Sequence, residues 1–145
     1  MIWQQASRFL DAARILREKK DTVFSPTYFL AGQAIELALK GFHRGNGESE
    51  NYLRQTLVHN LTKALSTAEN NGLGSIVTIC QKDRALVQAL NQYYQSKDLQ
   101  YAKQGFKSWP AIDDVLSVAE KLVNGVRGYC RQNRERHYGK PTAVL

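Results

Sequence analysis

The chain has few cysteines, and this scarcity restricts the kinds of site it can carry. Only Cys80 and Cys130 occur in 145 residues, and they lack the CxxC spacing of a metal or redox site. Both fall at apolar positions of helical patterns, so we expect two buried thiols in a reducing compartment, without a disulfide. We therefore predict no zinc site, no other metal and no cofactor.

Long hydrophobic runs are also missing. No apolar stretch approaches the roughly 20 residues that span a bilayer, and residues 1–5 lack the basic start and apolar run of a signal peptide. We expect a cytoplasmic protein with no membrane association. Strand-like alternation, internal repeats, a glycine-rich phosphate loop, HExxH and GxSxG are absent as well, which argues against P-loop proteins, zinc peptidases and α/β-hydrolases.

Positive charge is present in excess and is unevenly placed. The formal net charge is +7 at pH 7, and the end of the chain has Glu135 as the only acid among its cations. A basic end of this kind suits an anionic partner, with RNA the first choice, whereas a solvated tail is the simpler alternative. The candidate anion-binding residues are Arg127, Arg131, Arg134, Arg136 and Lys140.

Apolar residues recur at intervals of three and four along most of the chain, which predicts amphipathic helices. The patterns cover residues 2–16, 26–42, 53–68, 76–94 and 112–130. Short connections between such helices favour an all-α fold, an antiparallel up-and-down bundle of four to five helices. We assign the bundle to residues 1–130 and a basic C-terminal tail to residues 131–145.

The second pattern is apolar on nearly all sides. Only Gln33, Glu36 and Lys40 form a polar stripe, so this helix belongs at the centre of a bundle or in a subunit interface. The spacing of Glu36 and Lys40 favours an intrahelical ion pair. Because one small bundle does not readily cover so much apolar surface, we predict a homodimer whose interface includes this helix or its neighbours.

Polar residues between the patterns predict the connections. Residues 43–50 have the composition of a loop and would make His43 a surface histidine, and residues 95–108 form a second loop. Gly72 is expected to end the third helix through a left-handed cap. Four aromatic residues are expected to fill core and loop-packing positions, namely Tyr93, Tyr94, Tyr101 and Trp109.

One succession of segments has the order found in a known family. Residues 31–41 read AGQAIELALKG, and after a glycine-containing loop His59-Asn60-Leu61 opens a leucine-rich helix. The segment LNQYY at 90–94, then Tyr101 and Pro110, follow in the same order. Over roughly residues 5–130 the chain resembles the HEPN family of prokaryotic helical bundles. The resemblance implies a four- or five-helix bundle, usually dimeric, from toxin–antitoxin and RNA-processing systems and often found beside a minimal nucleotidyltransferase.

The resemblance also implies a candidate catalytic pair. Many HEPN proteins are metal-independent ribonucleases with an arginine followed after four to six residues by a histidine, and Arg54 and His59 have this spacing, as do Arg131 and His137 in the basic end. An imidazole can take a proton from a ribose 2′-hydroxyl while a guanidinium holds the phosphate. The alternative is that His59 bonds at a helix start, as in non-nuclease members that carry His-Asp-Leu there, while Arg54 is a solvated charge.

Two functional hypotheses follow. In the first, the chain is an RNA-associated accessory or toxin-type HEPN protein, for which metal-independent endoribonuclease activity at Arg54 and His59 is one option and not a requirement. In the second, it is a non-catalytic interaction module that binds a nucleotidyltransferase or another protein. The geometry of Arg54 and His59 distinguishes the two hypotheses. Residues five apart on one continuous helix point about 140° from each other, so the two side chains would not converge on one substrate. If instead Asn60 caps a helix beginning at Leu61, the two side chains can converge.

Overall fold

The fold is known from a computed structural model that describes residues 2–19, 24–57, 59–95 and 110–138. These residues form six α-helices and one short 3-10 helix and contain no strand. The α-helices are α1 (Ile2–Glu18), α2 (Phe24–Gly45), α3 (Glu50–Thr56), α4 (Leu61–Asn70), α5 (Gln81–Gln95) and α6 (Ile112–Tyr138), with the 3-10 helix at Leu73–Ser75. The predicted all-α fold is confirmed.

Helix α2 lies at the centre of the bundle. It packs against α1, α3, α4, α5 and α6, while α1 also packs on α6 and α4 also packs on α5. None of the side chains at positions 26–45 of α2 is fully exposed. The narrow polar stripe of this helix is therefore explained by its central position within one chain.

The core contains side chains from every α-helix, at positions within the predicted apolar patterns, and in addition Leu73 of the 3-10 helix, which lies between two patterns. Burying one Leu, Ile or Phe side chain completely contributes about 1.5–3 kcal/mol relative to leaving it exposed. The largest apolar side chains that are completely buried are Ile35, Leu39, Phe42, Leu61, Leu73, Val87, Leu90, Val115, Leu122, Val123 and Val126. Because they come from helices far apart in sequence, their burial holds the bundle together.

The third apolar pattern spans two helices and not one. Helix α3 ends at Thr56 and α4 begins at Leu61, although Leu53, Leu57 and Leu61 on either side of the break are all buried. His59, within the break, has a φ of 53° in the left-handed region. A continuous apolar row cannot reveal such a break, because both helices turn the same face to the core. The expected left-handed glycine at the end of α4 is confirmed at Gly72, whose φ is 98°.

The two cysteines differ from each other. Cys80 precedes α5 and is exposed, so the expectation of a buried thiol there was wrong. Its helical pattern began at residue 76, but α5 begins only at Gln81. Cys130 is partly buried in α6, and burial raises the pKa of its thiol to about 11. Within the described residues no group of three or more His, Cys, Asp or Glu side chains could hold a metal ion, and no helix there is long and apolar enough to cross a membrane.

His43 is completely buried, so the expectation of a surface histidine was wrong. The polar segment after residue 42 had suggested a loop, but α2 continues to Gly45. The His43 Nε2 lies 3.1 Å from the Ala64 carbonyl oxygen, which can only accept, while Nδ1 has no hydrogen-bond partner. Burial lowers the pKa of His43 below its usual 6.5 and outweighs the opposite effects of the Ala64 carbonyl and the Glu48 charge.

This buried imidazole should make folding sensitive to acid. Below about pH 6.5 the unfolded chain binds a proton on His43 more readily than the folded chain does. The free energy of unfolding therefore decreases as the pH is lowered, by at most about 1.4 kcal/mol per pH unit from this group. Urea denaturation at about pH 7.5 and about pH 5.5 measures the loss. His43→Gln keeps an amide donor near Ala64 and cannot titrate, so the variant should lose less stability between the two pH values. An equal loss in both proteins would contradict the assignment.

Candidate functional site

A polar cluster lies where α2, α5 and the start of α4 meet. The Glu36 Oε1 atom accepts a hydrogen bond of 2.6 Å from the Tyr94 hydroxyl and lies 3.2 Å from the His59 Nδ1 atom. Gln33 Nε2 donates to the same Tyr94 hydroxyl at 2.6 Å. The backbone N–H of His59 donates to Glu36 Oε2 at 3.4 Å. We call these four residues, Gln33, Glu36, His59 and Tyr94, the Glu36 cluster.

The sequence of α2 explains why the cluster forms. Gln33 and Glu36 are three residues apart and share one face of the helix. Gly32 faces the Tyr94 ring so closely that a Cβ atom there would lie 2.6 Å from Tyr94 Cδ1. Glycine therefore lets α5 approach until the Tyr94 hydroxyl reaches both polar side chains. The expected Glu36–Lys40 ion pair does not form in the described structure, because the Glu36 carboxylate turns to Tyr94 and His59.

The carboxylate fixes which nitrogen of His59 carries the proton. An ionised carboxylate can only accept hydrogen bonds, so Nδ1 is the donor and Nε2 is the acceptor of the neutral ring. The Glu36 side chain is only 16% exposed, whereas that of His59 is 47% exposed. In the described part of the chain Nε2 has no hydrogen-bond partner. The Glu36 carboxylate therefore bonds Nδ1 of the ring and leaves Nε2 available as a hydrogen-bond acceptor.

Tyr94 acts as a neutral donor within this arrangement. Its burial raises the pKa of the phenol well above the usual value, and the neighbouring Glu36 charge and hydrogen bond raise it further. The ring also stacks on Phe29 with centroids 5.9 Å apart and meets the His59 ring edge-to-face at 5.9 Å. Tyr94 thus joins the apolar core to the imidazole. Tyr93 is buried too, as expected, whereas Tyr101 and Trp109 lie outside the described residues.

A second set of hydrogen bonds fixes the start of α4. Asn60 is its N-cap and accepts from the Lys63 N–H at 3.0 Å. Asn91 of α5 accepts from the Leu61 N–H at 2.7 Å. Asn91 thus positions the start of α4, a role that the sequence alone did not predict. The available signal was a polar residue at a core position of an apolar row, three residues before Tyr94.

Arg54 takes no part in the hydrogen bonds of the Glu36 cluster. It lies in the last turn of α3 and is exposed. It has no hydrogen bond or ion pair, to His59 or to any other residue, within the described structure. Because α3 ends at Thr56, the two side chains do not share a continuous helix and the angle of about 140° does not apply. The catalytic pairing of Arg54 with His59 stays a prediction.

The candidate anion-binding residues are only partly described. Helix α6 extends to Tyr138, so the first part of the predicted tail is helical. The guanidinium groups of Arg127 and Arg131 lie over the ring of Trp3, with Cζ atoms 5.7 Å and 4.9 Å from its centroid. Lys140 lies outside the described residues, as do the side chains of Arg134, Arg136 and His137.

These features define a helical-bundle domain with a carboxylate-held histidine at a helix start. The family model described as HEPN domain matches residues 1–129, and the chain belongs to the HEPN family. HEPN domains are in general RNA-related or nuclease-like, and they often dimerise. Neither the comparison with curated proteins nor that with solved structures found a match.

The Tyr94 hydroxyl should contribute measurably to stability. Tyr94→Phe removes the donor to Glu36 and the acceptor of Gln33, and leaving such groups unpaired costs about 1–3 kcal/mol. Urea denaturation should show this loss of unfolding free energy. Tyr52→Phe is the matched control, because the exposed Tyr52 hydroxyl has no partner in the described structure, and its loss should change stability by less than about 0.5 kcal/mol. Equal effects of the two substitutions would show that the Tyr94 hydroxyl bonds are energetically unimportant.

Proposed function

We propose that this chain is an RNA-associated HEPN protein of accessory or toxin type that cleaves RNA without a metal at the face around His59. The observation that supports this proposal best is the half-exposed His59 ring beside a largely buried carboxylate. A carboxylate at Nδ1 holds the tautomer in which Nε2 can accept a proton, and it stabilises the imidazolium that results.

In the proposed reaction His59 Nε2 takes the proton of a ribose 2′-hydroxyl. The 2′-oxygen forms a bond to the adjacent phosphorus while the bond from phosphorus to the 5′-oxygen breaks. The leaving oxygen gains a proton from water, and the hydroxide that remains takes the proton from the His59 imidazolium. The products are a 2′,3′-cyclic phosphate and a 5′-hydroxyl, and the ring is neutral again. Arg54 is proposed to hold the phosphate oxygens as charge develops, which requires its exposed guanidinium to reach the same phosphate as His59 when RNA is bound.

A second candidate is a non-catalytic interaction module that binds a minimal nucleotidyltransferase or another protein. The observation that favours it is that Glu36 bonds the backbone N–H of His59 as well as its ring, as expected for a residue that fixes a helix start. Arg54 has no hydrogen bond or ion pair to the Glu36 cluster, which points the same way. A cytoplasmic location is proposed with either function.

Ribonuclease activity separates the two candidates. Purified protein should cut RNA in excess EDTA and leave cyclic-phosphate ends, and His59→Ala should slow the cutting about a hundredfold to ten-thousandfold, the usual effect of losing a general base. Arg54→Ala should also abolish cutting while changing the melting temperature little, because Arg54 is exposed. Arg8→Ala, at another exposed arginine without a described partner, is the matched control and should keep full activity.

Other results would favour the interaction module. These are a wild type that is inert in EDTA, or a His59→Ala variant that melts several degrees lower without any change in a weak background activity. Binding of a nucleotidyltransferase by the inert protein would then identify the function as partner recognition.

We also propose that the chain forms a homodimer through α2 or its neighbours. The single chain leaves Ile15 of α1, the helix that packs on α2, 57% exposed, and HEPN domains often dimerise. Light scattering at micromolar concentration should therefore give about twice the chain mass of 16.4 kDa. A mass equal to one chain would contradict the dimer.

A further inference from the structure

Helices α1 and α6 form a cationic cluster that shares no residue with the Glu36 cluster. Trp3 lies in the first turn of α1, and Arg127 and Arg131 are four residues apart on one face of α6. Their Cζ atoms lie 5.7 Å and 4.9 Å from the Trp3 ring centroid, within the roughly 6 Å at which a cation is attracted to an aromatic face. We call these three residues the Trp3 cluster.

The charges of this cluster are not neutralised by the described protein. Elsewhere along α1, Arg14 pairs with Glu120 and Arg17 pairs with Asp113. Arg127 and Arg131 have no ion pair or hydrogen bond in the described structure, and the first turn of α1 contains no acid. Like charges four residues apart on a helix repel each other by a few tenths of a kcal/mol. An anion placed between the two guanidinium groups would remove this repulsion.

The cluster also contains hydrogen-bond donors without acceptors. The Trp3 Nε1 and Arg127 Nε atoms are buried and have no hydrogen-bond partner. A buried donor left unpaired is unfavourable by about 1–3 kcal/mol, and most such donors in proteins find an acceptor. If a guanidinium turns from the ring towards a phosphate, its donors gain phosphate oxygens as acceptors and the face of Trp3 is uncovered.

We propose that the Trp3 cluster binds the backbone of single-stranded RNA, with Arg127 and Arg131 on phosphate oxygens and the Trp3 face available to a base. Many proteins bind single-stranded nucleic acids with cationic side chains beside an aromatic ring. The cations bind the phosphates of the backbone, and the ring stacks on a base. The choice of RNA as the ligand rests on the proposed function. The cluster adds to that function a binding surface remote in sequence from His59.

Binding is tested in a His59→Ala background, so that cutting cannot interfere, by fluorescence anisotropy with a labelled single-stranded RNA of about 12 nucleotides. Arg127→Gln and Arg131→Gln should each weaken binding about three- to tenfold and lower the slope of log K against log salt by about 0.7. Arg8→Gln removes one exposed, unpaired charge from α1 and should weaken binding less than about twofold by the same electrostatic reasoning.

A second measurement reports on the cluster itself. The chain has two tryptophans, so Trp109→Phe leaves Trp3 as the only fluorescent indole. RNA should change the emission of Trp3, whereas inorganic phosphate or polyglutamate at equal charge concentration should not. An equal response to phosphate, or equal binding of polyglutamate, would show that the ligand is a small anion or an acidic protein and would overturn the proposal.

The outcomes also distinguish this proposal from the proposed function. RNA binding that is reduced no more by Arg127→Gln and Arg131→Gln than by Arg8→Gln would overturn the Trp3 site and leave RNA association standing. The absence of any salt-dependent RNA binding would overturn both. Loss of binding in the two arginine variants, with cutting by Arg54 and His59 absent, would support the Trp3 site without the ribonuclease.

Discussion

The hydrogen bond from the Tyr94 hydroxyl to the Glu36 carboxylate joins the core of the bundle to its candidate site. Both groups are largely removed from water, and a polar group in that position is unfavourable unless it is paired. Gln33 completes the arrangement by donating to the same hydroxyl. With both groups paired, Glu36 is fixed where it can also bond His59, so the ring orientation depends on how α5 packs against α2.

The packing of α5 against α2 requires a small residue on α2 opposite a large aromatic residue on α5. Gly32 leaves room for the Tyr94 ring, and Asn91 on the same helix as Tyr94 holds the first N–H of α4. Helix α5 therefore positions His59 in two ways. Tyr94 of α5 holds Glu36, which bonds His59, and Asn91 of α5 holds the start of α4, which directly follows His59. The ribonuclease and interaction hypotheses share this geometry and differ in whether Arg54 joins it when a ligand is bound.

The positive charges of the chain are unevenly distributed over the folded structure. Acids of α6 pair with Arg14 and Arg17 along α1, but Arg127 and Arg131 have no ion pair in the described structure. Because α6 continues to Tyr138, these cations lie on a helix and not in a solvated tail. A net charge of +7 thus has a local excess beside an aromatic ring, which is a stronger reason to expect an anionic ligand than the total charge alone.

The amino-acid sequence by itself determined the helical class, the family resemblance, the core positions and the cap at Gly72. These properties are local, because periodicity and turn residues report the faces and ends of a helix wherever it packs. Periodicity does not reveal the break between α3 and α4, since the buried leucines continue across it. Nor does it reveal the burial of His43, because a polar sequence after residue 42 does not show that another helix covers it.

Only the tertiary structure decided which partner Glu36 takes. Local spacing favoured Lys40, four residues along the same helix, but an ion pair at that spacing on a helix surface contributes only about 0.3–0.5 kcal/mol. Hydrogen bonds from Tyr94 and His59, which are far away in sequence and partly buried, prevail once α4 and α5 pack against α2. The tertiary structure also decided the contact of Trp3 with Arg127 and Arg131. These residues meet only because α1 packs against α6.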